Sequence, residues 1–446
     1  MSDSNPAAGG VQTPQRVIPK EFLGSFILVT FLFALWGFAN DITNPMVAAF
    51  KNILLISNFQ SSLVQFAFYG GYCVMAIPAA LFIKRFSYKA GILLGLALYA
   101  AGCLLFIPSG MMMAFWAFLI SYFILTCGLS FLETSSNPYI LAMGPEENST
   151  RRLNFAQSFN PMGSITGMFV ASQLILAKLD KTDEAGRGLL QETDPDKFAA
   201  IQRSDLGVII GPYAVLGLVV LGILLVFVIA KLPKIKGEED KKINFVPTFT
   251  RLAKNAKYLE GVLAQAFYVG AQIMCWTFII QYGVNELGLE KATAQNYNIV
   301  AMAIFVSSRF ICTFLLKYFS PGGLLMNLAI GGFCLVSGTI LIQGMAGLYC
   351  LIGVSACMSL MFPTIYGIAL KGLGDDAKLG AAGLIMAIGG GCLMPPMQGW
   401  IMDQNAFHLG FMTLSSTRAS FVLPLLCFVV IAIFGFRTSN VHGHKH

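Results

Sequence analysis

Asp41 and Glu133 each lie inside a long apolar segment that offers no solvated face for a charge. A carboxylate at mid-bilayer depth costs about 2.5–3.5 kcal/mol on the insertion scale, so such groups line a cavity, carry a proton or pair with a cation. Asp41 belongs to the run Trp36-Gly-Phe-Ala-Asn40-Asp41-Ile-Thr-Asn44-Pro45. Asp41 and Asn44 are three apart and share a helical face, with Trp36 about one and a half turns earlier. Pro45 frees backbone carbonyls there, which neighbouring groups in a cavity can satisfy. The competing reading puts Asp41 at an outer mouth, where it is only hydrated.

Glu133 is followed four residues later by Asn137 and then Pro138. The pair shares a face at mid-segment, and helix–helix hydrogen bonding is the alternative to a cavity role. Gln157 and Asn160 repeat the pattern in Asn154-Phe-Ala-Gln157-Ser-Phe-Asn160-Pro161. Amides donate and accept, which is what sugar hydroxyls require, although polar glue between helices uses the same residues. Tyr268, Gln272 and Trp276 follow one another at i, i+4 spacing. Their aromatic faces suit the C–H faces of a pyranose, while a core or lipid-facing stripe would read the same way. Arg309 is the cation deep in an apolar segment. It either answers a carboxylate or snorkels to the interface and pins a gate, and the gating role is favoured. Gly389, Gly390 and Gly391, followed by Pro395-Pro396, suggest close helix contact and a bendable element. They are not a phosphate loop, since no Lys-Ser/Thr follows.

These residues need long helices to hold them. Of 446 residues 56% are hydrophobic and 11% charged, against about 25% charged in an ordinary soluble domain. The charges fall between apolar runs long enough to cross about 30 Å of hydrocarbon. Twelve spans are expected, at 22–47, 60–84, 88–107, 112–142, 153–178, 206–231, 257–284, 293–317, 322–342, 346–371, 380–402 and 415–436. A β-barrel fails, because its strands would alternate polar and apolar residues. The fold class is therefore an all-α integral membrane protein. The charged interval 232–256 divides it into bundles at 22–231 and 257–436, with tails at 1–21 and 437–446. A weak half-to-half echo, Asn137-Pro138 against Phe362-Pro363, agrees with the twofold build of secondary transporters.

With the N-terminus inside, 20 of the 29 Lys and Arg lie on the cytoplasmic side, 8 on the other, and Arg309 within a span. The positive-inside rule then places both termini in the cytoplasm. The net charge of +7 follows from this topology, so no nucleic-acid partner is needed. The ten cysteines lie in apolar spans and read as small buried hydrophobes, with no disulfide framework or metal site. No cleavable signal is visible in residues 1–20, and the terminal His442, His444 and His446 read as a solvated tail. Enzyme signatures such as HExxH, GxSxG or a Walker loop are absent, so the protein is read as no enzyme and as not ATP-driven.

Assembled, these features resemble the fucose–galactose–glucose:proton symporters of the major facilitator superfamily. The likeness runs from the first span to the twelfth. It is carried by Leu35-Trp-Gly-Phe-Ala-Asn40, Asn58-Phe-Gln60, Ser87-Tyr-Lys-Ala-Gly91, Leu132-Glu-Thr134 with Asn137-Pro138, and Arg152-Leu-Asn154. Ala156-Gln157 with Phe159-Asn160, Tyr268-Val-Gly-Ala-Gln272, Cys275-Trp276 and Ile388-Gly-Gly-Gly391 extend it. The resemblance implies the major facilitator fold, with a first-span Asp and fourth-span Glu as the protonatable pair. Glu133 matches the latter. At the first-span position this chain has Asn44, and its carboxylate is Asp41, three residues earlier on the same face. The superfamily's Asp-Arg loop pattern between spans two and three is replaced by Lys84-Arg85.

The expectation is a secondary active transporter that imports a hexose or 6-deoxyhexose with a proton by alternating access. Glu133 and Asp41 would couple the proton. Trp36, Asn40, Asp41, Asn44, Glu133, Asn137, Gln157, Asn160, Gln272 and Trp276 would bind sugar, with no cofactor. Its partners would be a sugar and the lipid bilayer, and it would work as a monomer in a bacterial inner membrane. Sodium coupling, uncoupled transport, a membrane sugar sensor and a two-carboxylate glycosidase are the competing readings.

Overall fold

The computed structural model describes residues 18–144, 152, 155–233, 245–315, 318–373, 376–408 and 413–439. Most of the two tails, the linker residues 234–244, Asn154 and the terminal histidines lie outside these. Twelve spans are arranged as two six-helix bundles. Among the described residues nine spans are long and apolar enough to cross a membrane by themselves, and a tenth, span seven, is bent by 42° between Ala256–Thr277 and Ile279–Leu287. The other two are span five, where Phe159–Val170 gives way to a π-turn at Ala171–Ile175, and the more polar span eight, Lys291–Leu315.

Local sequence explains where the helices start and break. Span one runs through Leu23–Thr43, turns at Asn44-Pro45 where the ring removes an N–H donor, and continues as Met46–Leu54. Span two, Asn58–Arg85, starts with a capping box. The Ser57 hydroxyl accepts from the Gln60 amide, and the Gln60 side chain accepts from the Ser57 amide, both at 3.0 Å. Span four is a single helix, Phe115–Ala142. Span six begins at Pro195, well before the expected residue 206. Asp194 caps it with Pro195 in the first turn, and its charged start packs beneath the outer helix Glu184–Thr193. There Arg187 and Asp205 form a buried ion pair, and residues 184–193 and 195–205, between the expected spans five and six, are helical.

In the first bundle, spans one and five pack closely through Gly37, Gly163 and Gly167, and spans three and four through Gly95 and Gly128. A Cβ at Gly163 would collide with the Ala34 carbonyl, which is why small residues are needed at such a crossing. In the second bundle, span nine (Pro321–Leu341) packs on spans ten and twelve, and span seven on spans ten, eleven and twelve. Span ten is Met345–Met358 with Met361–Leu370. Span eleven is Ala377–Met386, a 3-10 turn at Ala387–Gly389, and Gly390–Met402. Span twelve is Ser416–Ser420 with Val422–Ser439. The bundles meet chiefly where span two touches span eleven and span five touches span eight. A two-residue hairpin, Phe407–His408 against Thr413–Leu414, lies between spans eleven and twelve and was not expected.

At the end remote from the termini, several hydrogen bonds and one ion pair cross between bundles. The Asp403 carboxylate accepts from the Asn58 amide at 2.9 Å, the Asn58 side chain at 2.8 Å and the Phe59 amide at 2.8 Å. It thus caps the start of span two from the other bundle. The Ser172 hydroxyl donates to Asn296 at 2.7 Å, and Lys181 faces Glu290 at 3.6 Å. At the termini end, Arg251 of the amphipathic helix Phe245–Lys254 grips Asp376 through two hydrogen bonds, at 2.8 and 2.6 Å. The guanidinium holds the Asp376 carboxyl below the usual carboxylate range.

Candidate functional site

The two carboxylates are served by one helix. Asp41 is buried on span one, and its Oδ1 accepts from the Asn44 amide nitrogen at 3.0 Å. Ser164 of span five stands against the same carboxylate. Asn44 Oδ1 in turn accepts from Gln65 Nε2 of span two, also at 3.0 Å. Seven residues further along span two, the Tyr72 hydroxyl donates to Glu133 Oε1 at 2.7 Å. That interval is about two helical turns, so Gln65 and Tyr72 stand on one face of span two. Tyr69 lies between, within electrostatic reach of both carboxylates. Asp41 is enclosed by protein in this conformation, not hydrated at a mouth.

Glu133 and Asn137 are half-buried, and Gln157 is exposed. Polar side chains at membrane depth line a bundle interior or a water-filled cavity, and these three follow spans four and five towards the termini end. Gln157 Nε2 reaches Asn137 Oδ1 at 3.5 Å, at the limit of a hydrogen bond. Asn160 is half-buried and donates to the Phe33 carbonyl at 3.2 Å, and its own carbonyl lies where a Cβ on Gly37 would fall. Asn40 is half-buried, and its Oδ1 has no partner, an acceptor suited to a hydroxyl. Gln272 is half-buried on span seven.

The aromatic members behave differently. Trp36 is buried against Phe33, ring centroids 4.2 Å apart, and Trp276 donates from its indole to Ser355 at 3.1 Å while edging onto Phe305. Tyr268 is fully buried and donates to the Met358 carbonyl. In this conformation, of Tyr268, Gln272 and Trp276, only Gln272 is partly exposed. Arg309 donates to the Ser359 carbonyl at 3.1 Å and lies over Phe305, tying span eight to span ten. The glycine run stands at the break in span eleven. A Cβ at Gly389 would meet Cys73 at 2.8 Å, and one at Gly391 the Tyr69 ring at 2.9 Å.

At Gly390 a Cβ would strike the Ala266 carbonyl of span seven. Gly390→Val is accordingly expected to push spans seven and eleven apart, costing about 1–3 kcal/mol in overpacking. Thermal melting at the wild-type value would show that the contact is not needed.

Sequence reasoning missed Gln65, Tyr69 and Tyr72, although their i, i+4, i+7 spacing marks one face of span two. It also missed Thr277, whose hydroxyl accepts from Gln65 Nε2 at 3.0 Å across the bundle interface, and Asp403.

Two six-helix bundles enclosing carboxylates and amides at mid-membrane depth define a secondary transporter. The chain belongs to the Major Facilitator Superfamily, whose family profile matches residues 28–391. It is 58% identical over 428 residues to the L-fucose-proton symporter of Haemophilus influenzae, covering 96% of this chain and 99% of that one. It is 34% identical to the L-fucose-proton symporter of Escherichia coli, covering 94% of each. A crystal structure of the superfamily transporter FucP in the outward conformation superposes with a TM-score of 0.72 at 34% identity, covering 94% of this chain and all of that one. The chain is thus a transporter and not an enzyme.

Proposed function

We propose that the protein imports L-fucose together with protons by alternating access. The observation that carries this reading is the 58% identity, end to end, with a protein named as an L-fucose-proton symporter. Glu133 is the proton acceptor, since it is a carboxyl at mid-membrane depth held by a neutral donor, Tyr72, and open to the cavity. Asp41 is the second protonatable group. Asn40, Asn137, Gln157, Asn160 and Gln272 read the sugar hydroxyls. Trp36 and Trp276 stack on the ring only in a state where they turn out of their bundles. Arg309 and the Gly389–Gly391 run shape the gate, and Asn44 orients Asp41. The charge bias of the loops supports cytoplasmic termini and a bacterial inner membrane, and the carrier works as a monomer made of bundles 22–231 and 257–436.

Uptake of labelled L-fucose, D-galactose, D-glucose and D-fructose into proteoliposomes tests this. A pH gradient alone is expected to drive L-fucose accumulation. Accumulation that follows a sodium gradient at fixed pH would replace the coupling ion, and flux indifferent to both gradients would reduce the protein to a facilitator.

A further inference from the structure

The hydrogen bonds around Asp41 do not stop at the first bundle. They run from Asp41 to Asn44, from Asn44 to Gln65, and from Gln65 to Thr277 of span seven. Every member is buried, the exposures being 4% for Asp41, 1% for Asn44, and 0% for Gln65 and Thr277. Thr277 is the last residue before the 42° bend of span seven, where Asn298 takes up the Trp276 carbonyl at 3.0 Å. The chain of bonds thus joins a carboxylate of one bundle to the bend of the other.

Its polarity matters. Gln65 Nε2 spends one N–H on Asn44 Oδ1 and the other on Thr277 Oγ1. Asn44 donates to a carboxylate, a charge-assisted bond that polarises its own carbonyl and strengthens the next bond along. With Asp41 protonated, the assistance vanishes and a new O–H donor needs an acceptor. Gln65 Oε1 is buried and unpartnered in this structure. Turning the Asn44 amide lets its Oδ1 accept that O–H and points its Nδ2 at Gln65; the Gln65 amide then turns to present Oε1 to Asn44, which withdraws Nε2 from Thr277.

Building on the proton-symport reading above, we propose that Gln65 and Thr277 are positioning residues that transmit the charge of Asp41 to the bundle interface. The relay holds the end remote from the termini closed while Asp41 is ionised and releases it when Asp41 takes a proton. A carrier loaded with a proton but no sugar then stays open at that end, which prevents an uncompensated proton leak. The groups facing Asp41 are Asn44 of its own span, Ser164 of span five and Tyr69 of span two, with Glu133 of span four beyond Tyr69. Asp403 stands at the closed end itself.

The test is hydrogen–deuterium exchange at the start of span two, where Asp403 protects the amides of Asn58 and Phe59. Exchange is read at pH 6 and pH 8 in the full-length protein without sugar, after correction for intrinsic rates. Wild-type protection is expected to fall on the order of tenfold at pH 6, the scale of one charge-assisted hydrogen bond. Thr277→Val and Gln65→Leu should lose the pH response and exchange at both pH values as wild type does at pH 6. Thr277→Ser, which keeps the hydroxyl, should restore the response. A wild-type response in Thr277→Val overturns the relay. A response that survives Asp41→Asn belongs to Glu133 or Asp403 and overturns the role of Asp41 instead. If Asp41→Asn is flat while Thr277→Val responds, the relay alone falls and the coupling role of Asp41 stands.

Discussion

A Glu133→Gln carrier is expected to exchange L-fucose across a membrane at close to the wild-type rate while failing to accumulate it. Gln is isosteric and keeps an oxygen to accept from the Tyr72 hydroxyl, so the local geometry persists. What it loses is the site where a proton binds and leaves. One pH unit is worth about 1.4 kcal/mol for each proton carried, so a one-to-one symporter can concentrate sugar about tenfold against it. The variant should bring the sugar to equal concentrations on both sides. Counterflow and pH-driven uptake, measured in the same vesicles, separate the two properties. Undiminished accumulation by the variant would remove Glu133 from the proton path.

Removing Asp205 should produce the largest loss of stability. Arg187 is fully buried, and its guanidinium faces the Asp205 carboxylate, which also accepts from the Asp180 amide at 2.9 Å. Taking away this anion leaves the buried cation with only the Asp180 carboxylate at 3.9 Å and two backbone carbonyls, and breaking a buried pair from one side costs about 3–5 kcal/mol. Asp205→Ala should therefore melt well below wild type in detergent. The double replacement Arg187→Met with Asp205→Leu should recover much of the loss, because a neutral, well-packed pair carries no desolvation penalty. An unchanged melting point for the single variant would mean that water reaches Arg187.

What could be read in the sequence follows the cost of each group in lipid. Asp41 and Glu133 stand out because an apolar segment tolerates a carboxylate only for a reason. The spans stand out because hydrocarbon thickness sets their length. Amides and hydroxyls are far cheaper, since any neighbouring helix can satisfy them, so Gln65, Tyr72 and Thr277 passed as ordinary span residues. Their roles depend on which helix lies opposite, and a single segment does not contain that information. The same limit explains Trp276. Its spacing puts it on the Gln272 face, but Ser355, from span ten, draws the indole into the bundle. Asp403 looked like a loop residue because its partners lie 345 and 344 positions away. The early start of span six was hidden by the charges of 195–205, which the Arg187 pair and the Asp194 cap accommodate in a helix.

The clasp formed by Asp403 has an asymmetry with consequences for how this carrier can drift. On one side is a single replaceable side chain. On the other are the amides of Asn58 and Phe59, which belong to the main chain and survive any substitution there except proline, which has no N–H. Of the three bonds, only the Asn58 side-chain contact at 2.8 Å depends on the identity of the receiving residue. Sequence change at the receiving end can therefore proceed almost freely, while change at position 403 alters the balance between the two faces of the membrane in one step. A population of related carriers would tune how readily this end opens through one codon, leaving the helix it grips untouched.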